Sequence, residues 1–291
     1  MSLAIAVPSL VLFFALGAVW FVPRLASPAA AAWTVTVTVG AATLASLVLL
    51  LQVVAAGFSE IPFVADAIGW CRALYAGQHG ASPLAGGIAL SLLVAICWRV
   101  CSYAGATRAS TRRFSGVAGI VIVESDRPVA FAVPGNPGGV VISRAMVDAL
   151  DREQRAAVLA HESAHLRYHH HLFVHFAHAC AAGLPFLVPL ARKVTFLTER
   201  WADEQAALRV GSRRLVADTI AKVALLPSAG VPTHAQSLAG GDVIGRFLAL
   251  ESPPPPRRRY APAVIATFVC AVLTASTFQF QNLLVFFSHT N

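Results

Sequence analysis

Two histidines four residues apart flank a glutamate in His161-Glu162-Ser163-Ala164-His165, and Glu199 and Asp203 follow in Glu199-Arg200-Trp201-Ala202-Asp203. In a helix, a spacing of four brings both imidazoles onto one face, so they can bind a single ion with Glu162 beside it. Zinc accepts nitrogen and carboxylate ligands tetrahedrally, and a catalytic site uses three protein ligands and leaves the fourth position to water. Glu199 can be the third, giving one zinc ion per chain. A polar helix face in a chain with ten histidines can carry the same string without a metal. The downstream acidic pair, Glu199 and Asp203, again at one-turn spacing, favours the metal.

The flanking sequence supplies the elements that must position these groups. Asp151-Arg152-Glu153-Gln154 starts a helix, and Ala156, Val158, Leu159 and Ala160 give it a surface to bury. Ala202, Ala206 and Ala207 permit a second helix to pack closely against it. Upstream, residues 119–124, 129–133 and 140–142 read as three short strands, with turn chemistry in Pro134-Gly-Asn-Pro-Gly-Gly139. A sheet edge formed by Ala130, Phe131 and Ala132 can hold a peptide as an added strand over the metal. An ordinary structural hairpin accounts for these residues equally well.

Composition places the site at a membrane. The 291 residues are 57% hydrophobic and 12% charged, with mean hydropathy +0.67, too apolar for a soluble domain. Apolar runs at 3–22, 33–58, 84–103 and 261–287 are each long enough to cross a hydrocarbon core of about 30 Å. The first lacks a basic leading region and reads as a retained span. The expected fold is therefore mainly α: a polytopic membrane protein whose four transmembrane helices carry an α+β zinc-peptidase domain between the third and the fourth. Its divisions are 1–104 for three spans, 105–251 for the catalytic domain, 252–259 for a Pro/Arg linker, and 260–291 for the last span and a short outer tail.

Arg99, Arg108, Arg112 and Arg113 follow the third run and Arg257, Arg258 and Arg259 precede the last, whereas the loop 59–83 carries Glu60 and Asp66 against Arg72. The bias puts the catalytic domain on the cytoplasmic side of a bacterial-type plasma membrane and both termini outside. The net charge of +8 is then an attraction to anionic lipid rather than to nucleic acid. A further apolar run, 172–191, has span length. If it crossed, His161 and His165 would lie on one side and Glu199 on the other. It must therefore be a buried or membrane-apposed excursion, broken near Gly183-Leu184-Pro185 and returning to the same side.

Ala130-Phe-Ala-Val-Pro-Gly135, Val141-Ile-Ser-Arg144, Ala157-Val-Leu-Ala-His-Glu-Ser-Ala-His165 and Glu199-Arg-Trp-Ala-Asp203-Glu-Gln-Ala-Ala207 resemble integral-membrane gluzincin metallopeptidases of the BlaR/MecR antirepressor type and, more distantly, the HtpX type. The resemblance covers about residues 100 to 250. It implies that His161, His165 and Glu199 bind zinc, that Glu162 is the catalytic base, and that Asp203 holds the second ring N–H of a ligand histidine. Thr233-His234, followed by Arg246, resembles a downstream pattern of the HtpX group, with Ala235 in place of a proline, and makes His234 an oxyanion candidate. It also implies a protein substrate, such as a BlaI-type repressor, and suggests a homodimer.

Other residues are read as supporting structure. His170 stands where these families often have aspartate, which fits a helix-ending role or one behind a ligand; with His169, His171, His175 and His178 it is read as structural or pH-sensitive. Cys71, Cys97, Cys101, Cys180 and Cys270 form no Cys-x-x-Cys pair and read as packing residues. BlaR-type receptors place a penicillin-binding sensor after the last span, and none is expected here. Two further readings stay open: quality-control proteolysis of membrane proteins, and a catalytically idle zinc-dependent scaffold.

Overall fold

The computed structural model describes residues 27–58, 82–112, 116–136, 138–226 and 239–253. Two long apolar helices come first, α1 (Pro28–Phe58) and α2 (Pro83–Arg112). Each is long and apolar enough to cross a membrane, with mean hydropathy of 2.2 and 2.0. The core helix of a soluble protein, mostly buried, passes the same test, yet only 17% and 11% of these two windows are buried, and Leu84, Ile88, Val94 and Trp98 on α2 and Leu44, Leu49 and Leu51 on α1 face outward. The protein is thus mainly α and membrane-associated. The expected first and last spans, 3–22 and 261–287, lie outside the described residues, so two of the four are visible.

Both visible helices overrun the apolar windows that announce them. α1 starts five residues before Trp33, and α2 continues past Tyr103 to Arg112. Hydropathy marks where the chain stops being oily, but Ala and Arg are among the best helix formers and Ser costs less than about 0.7 kcal/mol relative to Ala. The two helices touch at their far ends, where a Cβ on Gly57 would stand 2.6 Å from the Gly86 Cα. Only glycine at both positions allows that approach.

A three-stranded sheet follows, β1 (Gly119–Val123), β2 (Ala130–Val133) and β3 (Gly139–Ser143), in the order β1-β3-β2. The central β3 is buried along its whole length, pairing parallel with β1 and antiparallel with β2. Ser143 ends it, and its buried hydroxyl accepts from the N–H of both Met146 and Val129, capping α3 (Arg144–Ala149) and tying β2 to its start. β2 lies at the sheet edge. Ser143 N–H donates to Val129 C=O. By antiparallel alternation Phe131 and Val133 face β3, while Ala130 and Ala132 turn their backbone groups to the open side.

The motif helix α4 (Arg152–Arg167) begins at the expected residues through a capping box: Asp151 accepts from Gln154 N–H, and the Gln154 side chain accepts from Asp151 N–H. It buries Ala157 and Ala164, and Ala157 packs with Ala206 and Ala207 of α6 (Val188–Val210) and with Val216 and Ala217 of α7 (Arg213–Leu225). Between α4 and α6 lie α5 (His170–Gly183) and a single 3₁₀ turn, Pro185–Leu187. The helix thus breaks at the Gly183-Leu184-Pro185 position read from the sequence.

The apolar run 172–191 is a shared core element. Phe173, Ala177, Cys180 and Ala181 of α5 and Leu190, Ala191, Val194 and Leu197 of α6 pack with Ala31, Ala32, Val35, Val39 and Ala42 of α1. Membrane helix and catalytic helix therefore share one core. The last described helix, α8 (Ala239–Glu251), closes against α7 and α6, and Arg213 fastens its C-terminal end by donating to the carbonyls of Ala249, Leu250 and Ser252.

Candidate metal centre

One face of α4 carries His161 and His165, whose Nε2 atoms lie 3.0 Å apart. From α6, Glu199 places Oε2 3.4 Å from His161 Nε2 and Oε1 3.4 Å from His165 Nε2. Ligand atoms on a tetrahedral zinc, with bonds near 2.0–2.2 Å, sit about 3.3 Å from one another. The three side chains therefore already have the separations that a shared zinc requires, and their atoms form a group able to hold a metal ion. Among the described residues the donor set is two imidazoles and a carboxylate, which suits zinc and has the three protein ligands of a catalytic site.

The remaining ring nitrogens are also accounted for. His161 Nδ1 lies 3.0 Å from Asp203 Oδ1, one turn beyond Glu199 on α6. His165 Nδ1 lies 3.2 Å from His170 Nδ1, at the start of α5. Each contact leaves an Nε2 lone pair for metal and fixes which tautomer the ligand adopts. Arg246 of α8 locks the acidic side of the site: Nε and Nη2 donate to the two Asp203 oxygens at 2.7 and 2.6 Å, and Nη1 lies 3.0 Å from Glu199 Oε2. This planar fork matches a carboxylate better than lysine would.

Glu162 points to the sheet. Its carboxylate takes a hydrogen bond from the backbone of Ala132, one of the two β2 residues turned to the open edge. The expected edge strand, Ala130 to Ala132, thus runs beside the motif helix. His234 lies outside the described residues. His175 and His178 do not join the centre: His175 bonds the Tyr103 hydroxyl of α2, and His178 bonds Thr195 of α6.

Two contacts were not read from the sequence. In the sequence Arg246 stands only in a downstream pattern, and nothing local ties it to Asp203, 43 residues away. The contact of His170 with His165 depends on His169, which adopts a left-handed backbone at φ 53° and turns α5 back beneath α4. A non-glycine residue rarely takes that conformation, so the sequence offers His170 as a residue behind a ligand without showing which ligand it meets.

Electrostatics divide the ligands into unlike groups. Burial by itself lowers His161, but hydrogen bonds and charges from Asp203 and Glu199 outweigh it and raise it to about 10. Burial lowers His165 to about 4, against the pull of Glu199. Burial pushes Glu199 and Asp203 upward, yet the surrounding cations, Arg246 above all for Asp203, hold both below the usual carboxylate range. Glu162 is the exception: burial raises it to about 7.

Residues 103–259, over half of the chain, match peptidase family M48. No curated protein and no solved structure matches.

Two outcomes follow from this geometry. At pH 7.5 metal-free His161 holds a proton that zinc must displace, whereas His165 is already neutral. Zinc uptake should therefore release about one proton, read as the dependence of calorimetric enthalpy on buffer ionisation, and affinity should fall as pH drops; enthalpies independent of buffer contradict this. Arg246→Met leaves two buried carboxylates without their cation and should lower stability by about 3–5 kcal/mol in denaturant unfolding; a loss below about 1 kcal/mol, the range of an exposed pair, contradicts the clamp.

Proposed function

The chain belongs to peptidase family M48, and from that premise we propose that this zinc metalloendopeptidase cuts a cytoplasmic or membrane protein at a site held against the inner face of the bilayer. The observation that carries the reading is the convergence of His161 Nε2, His165 Nε2 and the Glu199 carboxylate at zinc-ligand separations, with Glu162 beside them. A zinc ion bound there supplies a Lewis acid for the scissile carbonyl and lowers the pKa of water to about 7.

The chain's own residues do the rest. Glu162 accepts the proton of the attacking water and returns it to the departing amine, a task suited to a carboxylate raised toward neutrality by burial. Asp203 holds His161 in the Nδ1–H tautomer, and Arg246 holds Asp203 and Glu199 in place. Substrate adds to the open edge of β2, where Ala130 offers its N–H and C=O and Ala132 its C=O to an extended peptide, the Ala132 N–H being engaged by Glu162. The Ala132 hydrogen bond to Glu162 sets the distance between that strand and the base.

The wider reading keeps the four-span arrangement, with 105–251 as a cytoplasmic catalytic domain, 252–259 as a linker, and spans at 3–22 and 261–287. The arginines after residue 98 and before residue 260 support that orientation. The preferred substrate is a BlaI-type transcriptional repressor, cut in regulatory proteolysis by a homodimer or a single chain. A second reading is quality control of membrane proteins, as in the HtpX type. It is favoured by the core shared between α1, α5 and α6, which brings the metal centre next to helices that face lipid.

Glu162→Gln should retain zinc and lose at least about 10²-fold in peptide-bond cleavage. Comparing new amino termini in cells expressing wild type and Glu162→Gln then identifies substrates: one repressor-type protein supports regulation, and many unrelated membrane proteins support quality control. Undiminished cleavage by Glu162→Gln contradicts the assignment of the base. The base acts only when ionised, so kcat/KM should rise with pH through the Glu162 pKa. Bound zinc places positive charge beside it and lowers that pKa, so the acid limb should have its midpoint below the metal-free value of about 7; a midpoint above 7 contradicts it.

A further inference from the structure

His170 is fully buried, with its Nδ1 3.2 Å from Nδ1 of His165 and the two rings edge to face at 88°. Two imidazole nitrogens at that distance can share only one proton. If His165 gives its Nε2 lone pair to a metal, its proton is on Nδ1, and His170 Nδ1 must be the acceptor. The proton of neutral His170 then sits on Nε2. That atom is buried and has no hydrogen-bond partner among the described residues. Burying a donor without a partner is unfavourable, and the opposite tautomer of His170 would not remove the problem: it would set two N–H groups against each other across the 3.2 Å gap. The arrangement makes sense as one in which the Nδ1 acceptor is needed and the far nitrogen is tolerated.

The ring has little freedom to do anything else. It stacks against Tyr168 at a centroid distance of 6.0 Å and an interplanar angle of 20°, and lies 4.6 Å from the centroid of Trp201. Trp201 meets Phe173 edge-on, and Phe173 meets Trp33 of α1 in the same way. Aromatic packing thus sets the plane in which His170 Nδ1 is offered, and the left-handed His169 aims it. His161 leans on a carboxylate, whereas His165 leans on a neutral imidazole. The second partner orients a ligand without adding a further acid to a site that already holds Glu162 and in which Glu199 and Asp203 share Arg246.

We propose that His170 is a positioning residue for the metal centre: its Nδ1 accepts the His165 Nδ1 proton and so holds His165 Nε2 toward the zinc. The proposal rests on the metal-ligand reading of His161, His165 and Glu199. Its test uses zinc affinity rather than turnover, measured by competition with a chromophoric chelator on the full chain in detergent, with the metal-free melting temperature recorded in parallel. Asn at position 170 carries an amide oxygen near where Nδ1 stands, Gln carries its amide near Nε2, and Phe keeps the ring without an acceptor.

His170→Phe and His170→Gln should weaken zinc binding about 10–100-fold, and His170→Asn should stay near wild type even if all three melt earlier. The visible spectrum of the cobalt-substituted protein should change in the same order. Zinc affinity equal to wild type in His170→Phe or His170→Gln overturns the proposal, as does a loss in His170→Asn as large as in His170→Gln. Should the Phe variant not fold, the comparison of Asn with Gln still decides the matter. Absence of zinc binding by the wild type would overturn the peptidase reading as well, and equal affinities in wild type and variants would overturn only the role of His170.

Discussion

The packing of α4 on α6 is the constraint on which the rest depends, because it brings two imidazoles from one helix to within 3.4 Å of a carboxylate from the other. Large side chains along that seam would hold the helices apart. Alanines at 157, 206 and 207 let them close, and Asp203 fills the remaining space with a carboxylate that both orients His161 and binds Arg246. Bringing so many like and unlike charges together under burial is costly unless each is paired. Asp203 has Arg246 and His161, and Glu199 has Arg246 and the two histidines. Among the described residues no cation forms an ion pair with Glu162, and burial shifts it toward neutrality.

The same constraint explains the path of the chain between the two helices. Residues 172–191 are oily enough to cross a bilayer, but crossing would separate the ligands. The chain instead turns at His169, runs down α5, breaks at Gly183 to Pro185 and returns as α6. One side of its apolar surface is covered by α1, which buries Ala31, Val35 and Val39 against it, while Leu172, Phe176 and Phe186 stay exposed. A line of ring contacts then runs from Trp33 through Phe173 and Trp201 to His170 and His165. A shift of the membrane helix relative to the catalytic helices would disturb the ring packing that orients His170.

What could be read from the sequence was what local spacing encodes. His161 and His165 share a helical face by their separation alone, Glu199 and Asp203 do the same, and Asp151 with Gln154 announces the start of α4 through its capping box. The break near Pro185 followed from combining two such readings with the need for a shared ion. What could not be read depends on tertiary contact. Arg246 joins Asp203 across 43 residues. His170 reaches His165 only because a histidine adopts a left-handed turn. Whether Ala130 to Ala132 form a sheet edge or an ordinary hairpin stayed open until the pairing: β3 follows β2 in sequence yet lies between it and β1, so alternation along one strand does not reveal which side stays open.

If His161, His165 and Glu199 hold a single zinc with one position open, X-ray absorption of the purified protein reads that coordination from the metal itself. One zinc per chain, with about two imidazole nitrogens and oxygen donors at about 2.0–2.2 Å and no sulfur, is the expected result. A protein that retains no zinc, or one whose zinc is bound through sulfur at about 2.3 Å, would contradict it.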